Sequence, residues 1–330
     1  MEQLRVTNSP GVAAALAVAG ELPAVRRDCA PVLILAFNRP DNTRAVIDAV
    51  RPVRPRRLFL AVDGPRADRP GERDQVLAVQ RLADAVDWPC QVDTLFRGAN
   101  LGCKRAVSEA ITWFFEQVDA GIILEDDCVA HPTFFAFAAE LLERYRDDDR
   151  VCMISGDNFQ FGRRRTPYSY YFSRFTHIWG WASWRRAWQL YDHRMSLWPE
   201  LRDGGWLMDI LQDRSAAAYW SRIFEATWAE RNTSWAYRWT FSAWVHSALT
   251  VLPSVNLVSN IGFGDMATHT LNRRNRFAAL PCEAMALPLR HPPYLIRDAR
   301  ADNFTQRTMF RTPVWRRVAG RLLRALSGRR

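Results

Sequence analysis

Apolar residues in the first half of the chain fall in short unbroken runs separated by polar, periodic stretches. Pro31-Val32-Leu33-Ile34-Leu35-Ala36-Phe37 leaves no polar position to face water, the pattern of a parallel strand buried on both sides. It stops at Asn38-Arg39-Pro40. Asp41 to Val50 then reads as a helix, with Ala45, Val46, Ala49 and Val50 inward and Asp41 or Asn42 as its cap. The pattern repeats with a strand at Arg57–Val62, an amphipathic helix over Gln75–Val86, a strand at Cys90–Leu95, a helix over Lys104–Gln117 and a strand at Gly121–Leu124. Four strands separated by helices predict an α/β fold, a mainly parallel sheet of Rossmann-like type flanked by helices. Ligands of such sheets bind at the carboxyl ends of the strands. Here those ends are Asn38-Arg39, Asp63-Gly64, Arg97 to Gly102 and Glu125 to Asp127, and all four are expected on one edge.

The pattern changes near residue 150. Eleven of the 14 tryptophans lie between Trp179 and Trp244, in segments such as His177-Ile178-Trp179-Gly180-Trp181 and Ser234-Trp235-Ala236-Tyr237-Arg238-Trp239. Indole rings bury large areas, so most of these belong to a core. Trp179 and Trp181 are the exceptions proposed for an acceptor surface, because Gly180 between them permits close backbone approach. The expected organisation is a leader over 1–28, a strand-and-helix half over 29–150 and a Trp-rich half of the same body over 151–275. A C-terminal extension over 276–330 completes it.

Composition narrows the function. About half the residues are apolar and a quarter charged, as in a folded globular chain. Six cysteines without a Cys-x-x-Cys pair argue against structural zinc and a disulfide framework, and favour a reducing, cytoplasmic setting. Only Arg5 precedes the apolar run Gly11–Ala19, so export is not expected, and no run is long enough to span a bilayer. The net charge of +10 is almost all arginine, since Lys104 is the only lysine. Arginine suits phosphate binding. A nucleic-acid partner is set aside, because the basic residues are scattered apart from Arg163-Arg164-Arg165 and the C-terminus, and no nucleic-acid-binding motif accompanies them.

Candidate chemistry concentrates at Glu125-Asp126-Asp127, directly after a buried strand. Three adjacent carboxylates repel one another, and a hard divalent ion, Mn²⁺ or Mg²⁺, relieves this while bridging to substrate phosphates. The run Ile122-Ile123-Leu124-Glu125-Asp126-Asp127, followed by Pro132-Thr133-Phe134-Phe135, resembles the Asp-x-Asp-type signature of GT-A glycosyltransferases. Its Glu-Asp-Asp form resembles that of the N-acetylglucosaminyltransferases of N-glycan synthesis. Asn100-Leu101-Gly102-Cys103, His177 to Trp181 and Val255 to Gly262 are similar, in the same order, to segments of bacterial family-2-like nucleotide-diphospho-sugar transferases, the hemolysin-like group.

The resemblance implies a metal-dependent, inverting transferase that moves a hexosyl or N-acetylhexosaminyl group from a nucleotide diphosphate to an acceptor hydroxyl. It implies Asp127 as metal ligand, with His269 as a further metal or diphosphate contact. Glu125, Asp126, Asp63, Asn38 and Arg39 fall at positions for the nucleotide and donor sugar, and Asp265 at an acceptor position. Arg97 and Lys104 are expected to neutralise the diphosphate, helped by the helix N-terminus near Gly102. One position departs from the pattern: Ala236 stands where the family carries an aspartate that could act as base. Asp209, Asp213 and Glu230 are the substitutes on offer, and a donor-binding paralogue without transfer is the alternative. From Pro313 to Arg330, Trp315, Val318, Leu322 and Leu326 fall on one helical face and Arg316, Arg317, Arg321 and Arg324 on the other. This suits peripheral contact with the inner face of a membrane, where a glycan or lipid-linked acceptor would be met.

Overall fold

The computed structural model describes residues 29–263, 276–278 and 280–310. Its centre is an eight-stranded sheet in the order β3-β2-β1-β4-β8-β6-β9-β7. The strands are β1 (Val32–Ala36), β2 (Arg57–Val62), β3 (Gln91–Phe96), β4 (Ala120–Glu125), β6 (Val151–Ser155), β7 (Tyr170–Ser173), β8 (Trp181–Trp184) and β9 (Leu249–Pro253). The first four are mutually parallel, β6 and β9 run parallel to each other, and β8 and β7 are antiparallel to their neighbours. Because β8 is antiparallel to both β4 and β6, the carboxyl ends of β4 and β6 emerge on the same edge. A small ribbon of β5 (Cys128–Ala130) and β10 (Val258–Asn260) crosses that edge. The α/β architecture with a largely parallel central sheet flanked by helices agrees with the hydrophobic pattern.

Ten helices occur among the described residues: α1 (Pro40–Val50), α2 (Glu72–Gln80), α3 (Gly102–Gln117), α4 (Pro132–Arg144), α5 (Arg185–Trp188), α6 (Trp198–Asp203), α7 (Leu207–Leu211), α8 (Arg214–Trp228), α9 (Trp235–Val245) and α10 (Ala299–Thr308). The predicted elements are present, with ends displaced by a few residues. The largest change is at α2, which starts at Glu72 and gives way to 3₁₀ geometry over Arg81–Ala85. The cap expected from Asp41 or Asn42 is absent. Helix α1 starts at Pro40, whose missing N–H costs nothing at a helix start, and Arg39 supplies no side-chain cap.

Apolar burial follows the sequence runs. Val32, Leu33 and Ile34 of β1, Phe59 of β2 and Ile122, Ile123 and Leu124 of β4 are fully enclosed, with Phe114 and Phe134 from α3 and α4 covering them. A second cluster under α7, α8 and α9 is built from Trp198, Trp220, Phe224, Phe241 and Trp244. Trp181, expected at an acceptor surface, is instead fully buried, stacked on Trp235 at 5.9 Å and close to Trp188 and Trp239. Its position on a central strand turns the ring into the core, where it presents no face to a sugar. No helix among the described residues is long and apolar enough to cross a membrane.

Candidate functional site

The carboxyl ends of β1, β2 and β4 carry the predicted acids and bases, and backbone geometry explains how they meet. β1 pairs with β4 so that Leu35 lies opposite Glu125. The residues just past β1 therefore reach the turn after β4. Arg39 does so, with Nε and Nη2 on the carboxylate of Asp126 and Nη1 3.0 Å from Asp127 Oδ2. Asn260, on β10, donates to Asp127 Oδ1 at 3.0 Å. Gly262 seals this corner: a Cβ there would lie 2.0 Å from Asp127 Oδ2 and 2.8 Å from Arg39 Nη1. Only a glycine allows the chain to pass so close to the carboxylate.

The charges do not balance. Asp126 and Asp127 share one guanidinium, and Glu125 Oε1 is buried with no hydrogen-bond partner among the described residues. Burial pushes the Glu125 carboxyl well above its ordinary range, and the Asp127 and Asp126 charges push it further. Arg39 and a hydrogen bond from the Trp235 side chain oppose this. For Asp126, burial raises the pKa and Arg39 works against it. Burial also disfavours the Arg39 charge, but Asp126 and Asp127 outweigh it and hold Arg39 above the ordinary arginine value. Cys103 feels the same field: burial and the nearby acids, Glu125 foremost, push its thiol up to about 12.

With all three carboxylates ionised, one guanidinium would leave two negative charges uncompensated, a state that a hard divalent cation bound through carboxylate oxygens relieves. Among the described residues no group of three or more His, Cys, Asp or Glu side chains is arranged as a finished metal cage. The arrangement fits a Mg²⁺ or Mn²⁺ held by one or two carboxylates and completed by substrate phosphates. His269 and Asp265, the other predicted contacts, lie outside the described residues, as do the 1–28 leader and the 313–330 helix.

The remaining predicted residues are engaged within the protein. Asp63 accepts from the backbone N–H groups of Gly64, Leu101 and Gly102 and from Asn100 Nδ2, at 2.9 to 3.1 Å. It thereby caps α3, whose own N-cap, Leu101, offers no side-chain acceptor, and the anion at that helix N-terminus is Asp63 itself. Gly102 makes the turn possible with φ of 75°. Arg97 pairs with Glu109 of α3 at 3.0 Å. Lys104 pairs with Glu230, which also accepts from Arg238 at 2.9 Å. The Lys104 hydrogen bond is the main reason the Glu230 carboxyl sits below its ordinary range. Asp213 caps α8 by accepting from Ala216 N at 2.8 Å, and Asp209 is exposed on α7.

Several residues at this edge escaped the sequence reading. Glu72 is one: this buried carboxylate accepts from Asn38, a predicted donor-site residue, and also holds Arg66. More instructive is Asp157. Trp181 lies opposite both Ile123 of β4 and Ser155 of β6, and Gly156 N donates to Gly180 O. Asp157 is buried, 2.7 Å from His177 Nδ1, and accepts from Trp179 N at 3.2 Å. His177 packs on Phe159, and Phe159 meets the Trp179 ring edge-on at 4.9 Å. Trp179 is thus fixed from two sides while staying partly exposed, as an acceptor platform requires. The signal was present in the sequence: Val151–Ser155 followed by Gly156-Asp157 repeats the strand-then-acid pattern of Ile122 to Glu125.

No family model matches the chain, and no curated protein matches it. Among solved structures it is similar to HddC from Yersinia pseudotuberculosis complexed with GMP-PN, at 10% identity over 48% of this chain and 77% of that one, with a TM-score of 0.30. It is also similar to the apo form of the bifunctional glycosyltransferase WbbM, at 11% identity over 58% of this chain and 36% of that one, with a TM-score of 0.30. Likenesses this slight carry no argument about chemistry, which rests on the geometry above.

Proposed function

We propose that the chain is a glycosyltransferase that takes a sugar from a nucleotide diphosphate, with its donor site at the carboxyl ends of β1, β2 and β4. The observation that carries this reading is the uncompensated carboxylate cluster of Glu125, Asp126 and Asp127 beside Arg39. Asp127 would hold Mn²⁺ or Mg²⁺, whose chemistry when bound is to offset charge on a departing diphosphate. Arg39 fixes the orientation of Asp126 and Asp127. Asn260 holds one oxygen of Asp127, and the backbone at Gly262 packs against the other. Asp63 presents the loop over Asn100 to Gly102 to the same edge, and Asn38 with Glu72 and Arg66 forms the side nearest the nucleotide. Trp179, fixed by Asp157, lies toward the acceptor, a glycan or lipid-linked hydroxyl compound. Transfer with inversion needs no covalent sugar–enzyme intermediate.

A second reading, donor binding without transfer, is favoured by the acceptor side. The first turn of α9 carries Ala236 and no acid, Asp213 is occupied as a helix cap, and Glu230 lies between two cations. One set of measurements tests both. Calorimetric titration of a nucleotide-sugar panel, with Mn²⁺ and with chelator, is expected to show metal-dependent binding that Asp127→Ala weakens by more than about a hundredfold, beyond the loss typical of outer-shell partners. If no donor binds in a metal-dependent way, both readings fail. Tight binding with neither donor hydrolysis nor transfer would select the second.

A further inference from the structure

The last strand of the sheet carries a second feature, unrelated to the carboxylate cluster. Along β7 and the segment over residues 290–298 runs a cleft of about 310 Å³, lined among others by Arg165, Tyr171, Tyr294, Ile296 and Arg297. The segment is fastened at two points: Ser169 N, just before β7, donates to Arg290 O at 2.9 Å, and Asp298 N donates to Phe172 O at 2.7 Å in the bridge between Phe172 and Arg297. The cleft therefore has fixed walls. The Tyr171 hydroxyl in its lining is buried and has no hydrogen-bond partner among the described residues.

Charge around the cleft is one-sided. Arg163, Arg164 and Arg165 precede β7, Arg290 and Arg297 belong to the segment beside it and Arg300 to the first turn of α10; Arg165 and Arg297 line the cleft itself. The acids among them are occupied. Asp298 caps α10 through Arg300 N and Ala301 N. Asp302 is buried and shared by Ser173, Arg174 and Arg297. Glu283 pairs with Arg164 in solvent. Arg163 and Arg165 are held over the Phe304 ring of α10, and Arg165 Nε is directed onto Gln160. On the same rim stand Ile296 and Tyr294, at 69% and 49% exposure the two most exposed large hydrophobic side chains among the described residues.

We infer that this face docks on an anionic bilayer, with Ile296 and Tyr294 entering the interface and the arginine-lined cleft taking a phosphate-bearing lipid headgroup. Two properties select a bilayer over other polyanions. Exposed isoleucine beside tyrosine gains free energy only where an apolar phase lies next to the charge. Arginines near an anionic leaflet contribute individually to attachment. β7 lies four strand spacings from β4 in the sheet order, about 19 Å, so docking there leaves the carboxylate cluster uncovered. The inference does not depend on the transferase reading.

The test is flotation of the full chain with vesicles of phosphatidylcholine alone and of phosphatidylcholine with phosphatidylglycerol. Binding is expected only to the anionic vesicles and to weaken with salt. Ile296→Asp is expected to lower partitioning by about tenfold or more, since it removes an apolar anchor and adds a repelled charge. Arg300→Glu and Arg290→Glu, both exposed and without an ion-pair partner described here, should each lower it by at least about fivefold. Thermal melts should leave all three variants folded as the parent. Charge reversal at Arg316, Arg317, Arg321 and Arg324 is the comparison arm. The inference is overturned if that variant alone loses binding, or if the parent floats equally with both vesicles or with neither. Binding of free glycerol phosphate without vesicle binding, or retention on DNA that the same three variants abolish while vesicles are ignored, overturns it as well.

Discussion

Two buried charge clusters on the same sheet are built from the same residue types in opposite proportion. At the carboxyl end of β4, Asp126 and Asp127 share Arg39, and a third carboxylate, Glu125, has no ion-pair partner among the described residues. Beside β7, one carboxylate, Asp302, serves Arg174, Arg297 and the Ser173 hydroxyl. Asp302 is fully used, whereas Glu125 keeps an oxygen without a partner. Burying charge is costly unless it is compensated. An excess of one sign in a folded protein is a reason to look for a ligand of the other sign, which is the ground for the cation proposed at one cluster and the anion proposed beside the other.

Removing the shared group of the arginine-rich cluster is the largest perturbation. Asp302→Ala leaves Arg174, which is almost completely buried, uncompensated. It is expected to cost about 3–5 kcal/mol in chemical denaturation. Donor affinity should not change, and a matching loss of donor binding would show that the two clusters are coupled. Next in size is Gly262→Ala, which places a methyl group against Asp127 and Arg39. A metal-dependent donor affinity lowered by about ten- to hundredfold, together with a stability loss of about 1–3 kcal/mol from overpacking, is the expected result, read by calorimetry. Unaltered affinity would detach the carboxylate corner from ligand binding. The balanced pair Arg66–Glu72 supplies the smallest effect. Hydrogen bonds from Arg66 are the main reason the Glu72 carboxyl lies below its ordinary range. Its contribution is therefore present above the unfolded glutamate pKa and is lost as pH falls through the folded value. Because Arg66 is exposed to solvent, that contribution is roughly 1 kcal/mol or less. Glu72→Gln should flatten the acid limb of the stability profile by that amount, and an identical profile would mean the pair contributes nothing.

Much of the donor half could be read from the chain alone. Continuous apolar runs specify buried parallel strands, and polar residues that interrupt them mark the strand ends. This is why the sequence places Arg39, Asp63 and Glu125 to Asp127 at strand ends on one edge. The tasks of those residues were less legible. Asp63 is a helix cap and Lys104 an ion-pair partner of Glu230, because each meets its partner through pairings between residues 37 to 126 positions apart. The tryptophans divide in the same way. Composition marks them as mostly core, yet only the antiparallel insertion of β8 places Trp181 inside while Trp179, two residues earlier, stays at the edge.

What the sequence determined by itself is therefore the class of fold and the location of the acidic edge, because both follow from local periodicity and from where it breaks. Tertiary structure alone decided the balance of charge. Whether a carboxylate is compensated depends on which distant arginine reaches it, as Arg39 reaches Asp126 and Asp127 while Arg174 and Arg297 converge on Asp302. No local pattern along the chain records those distances.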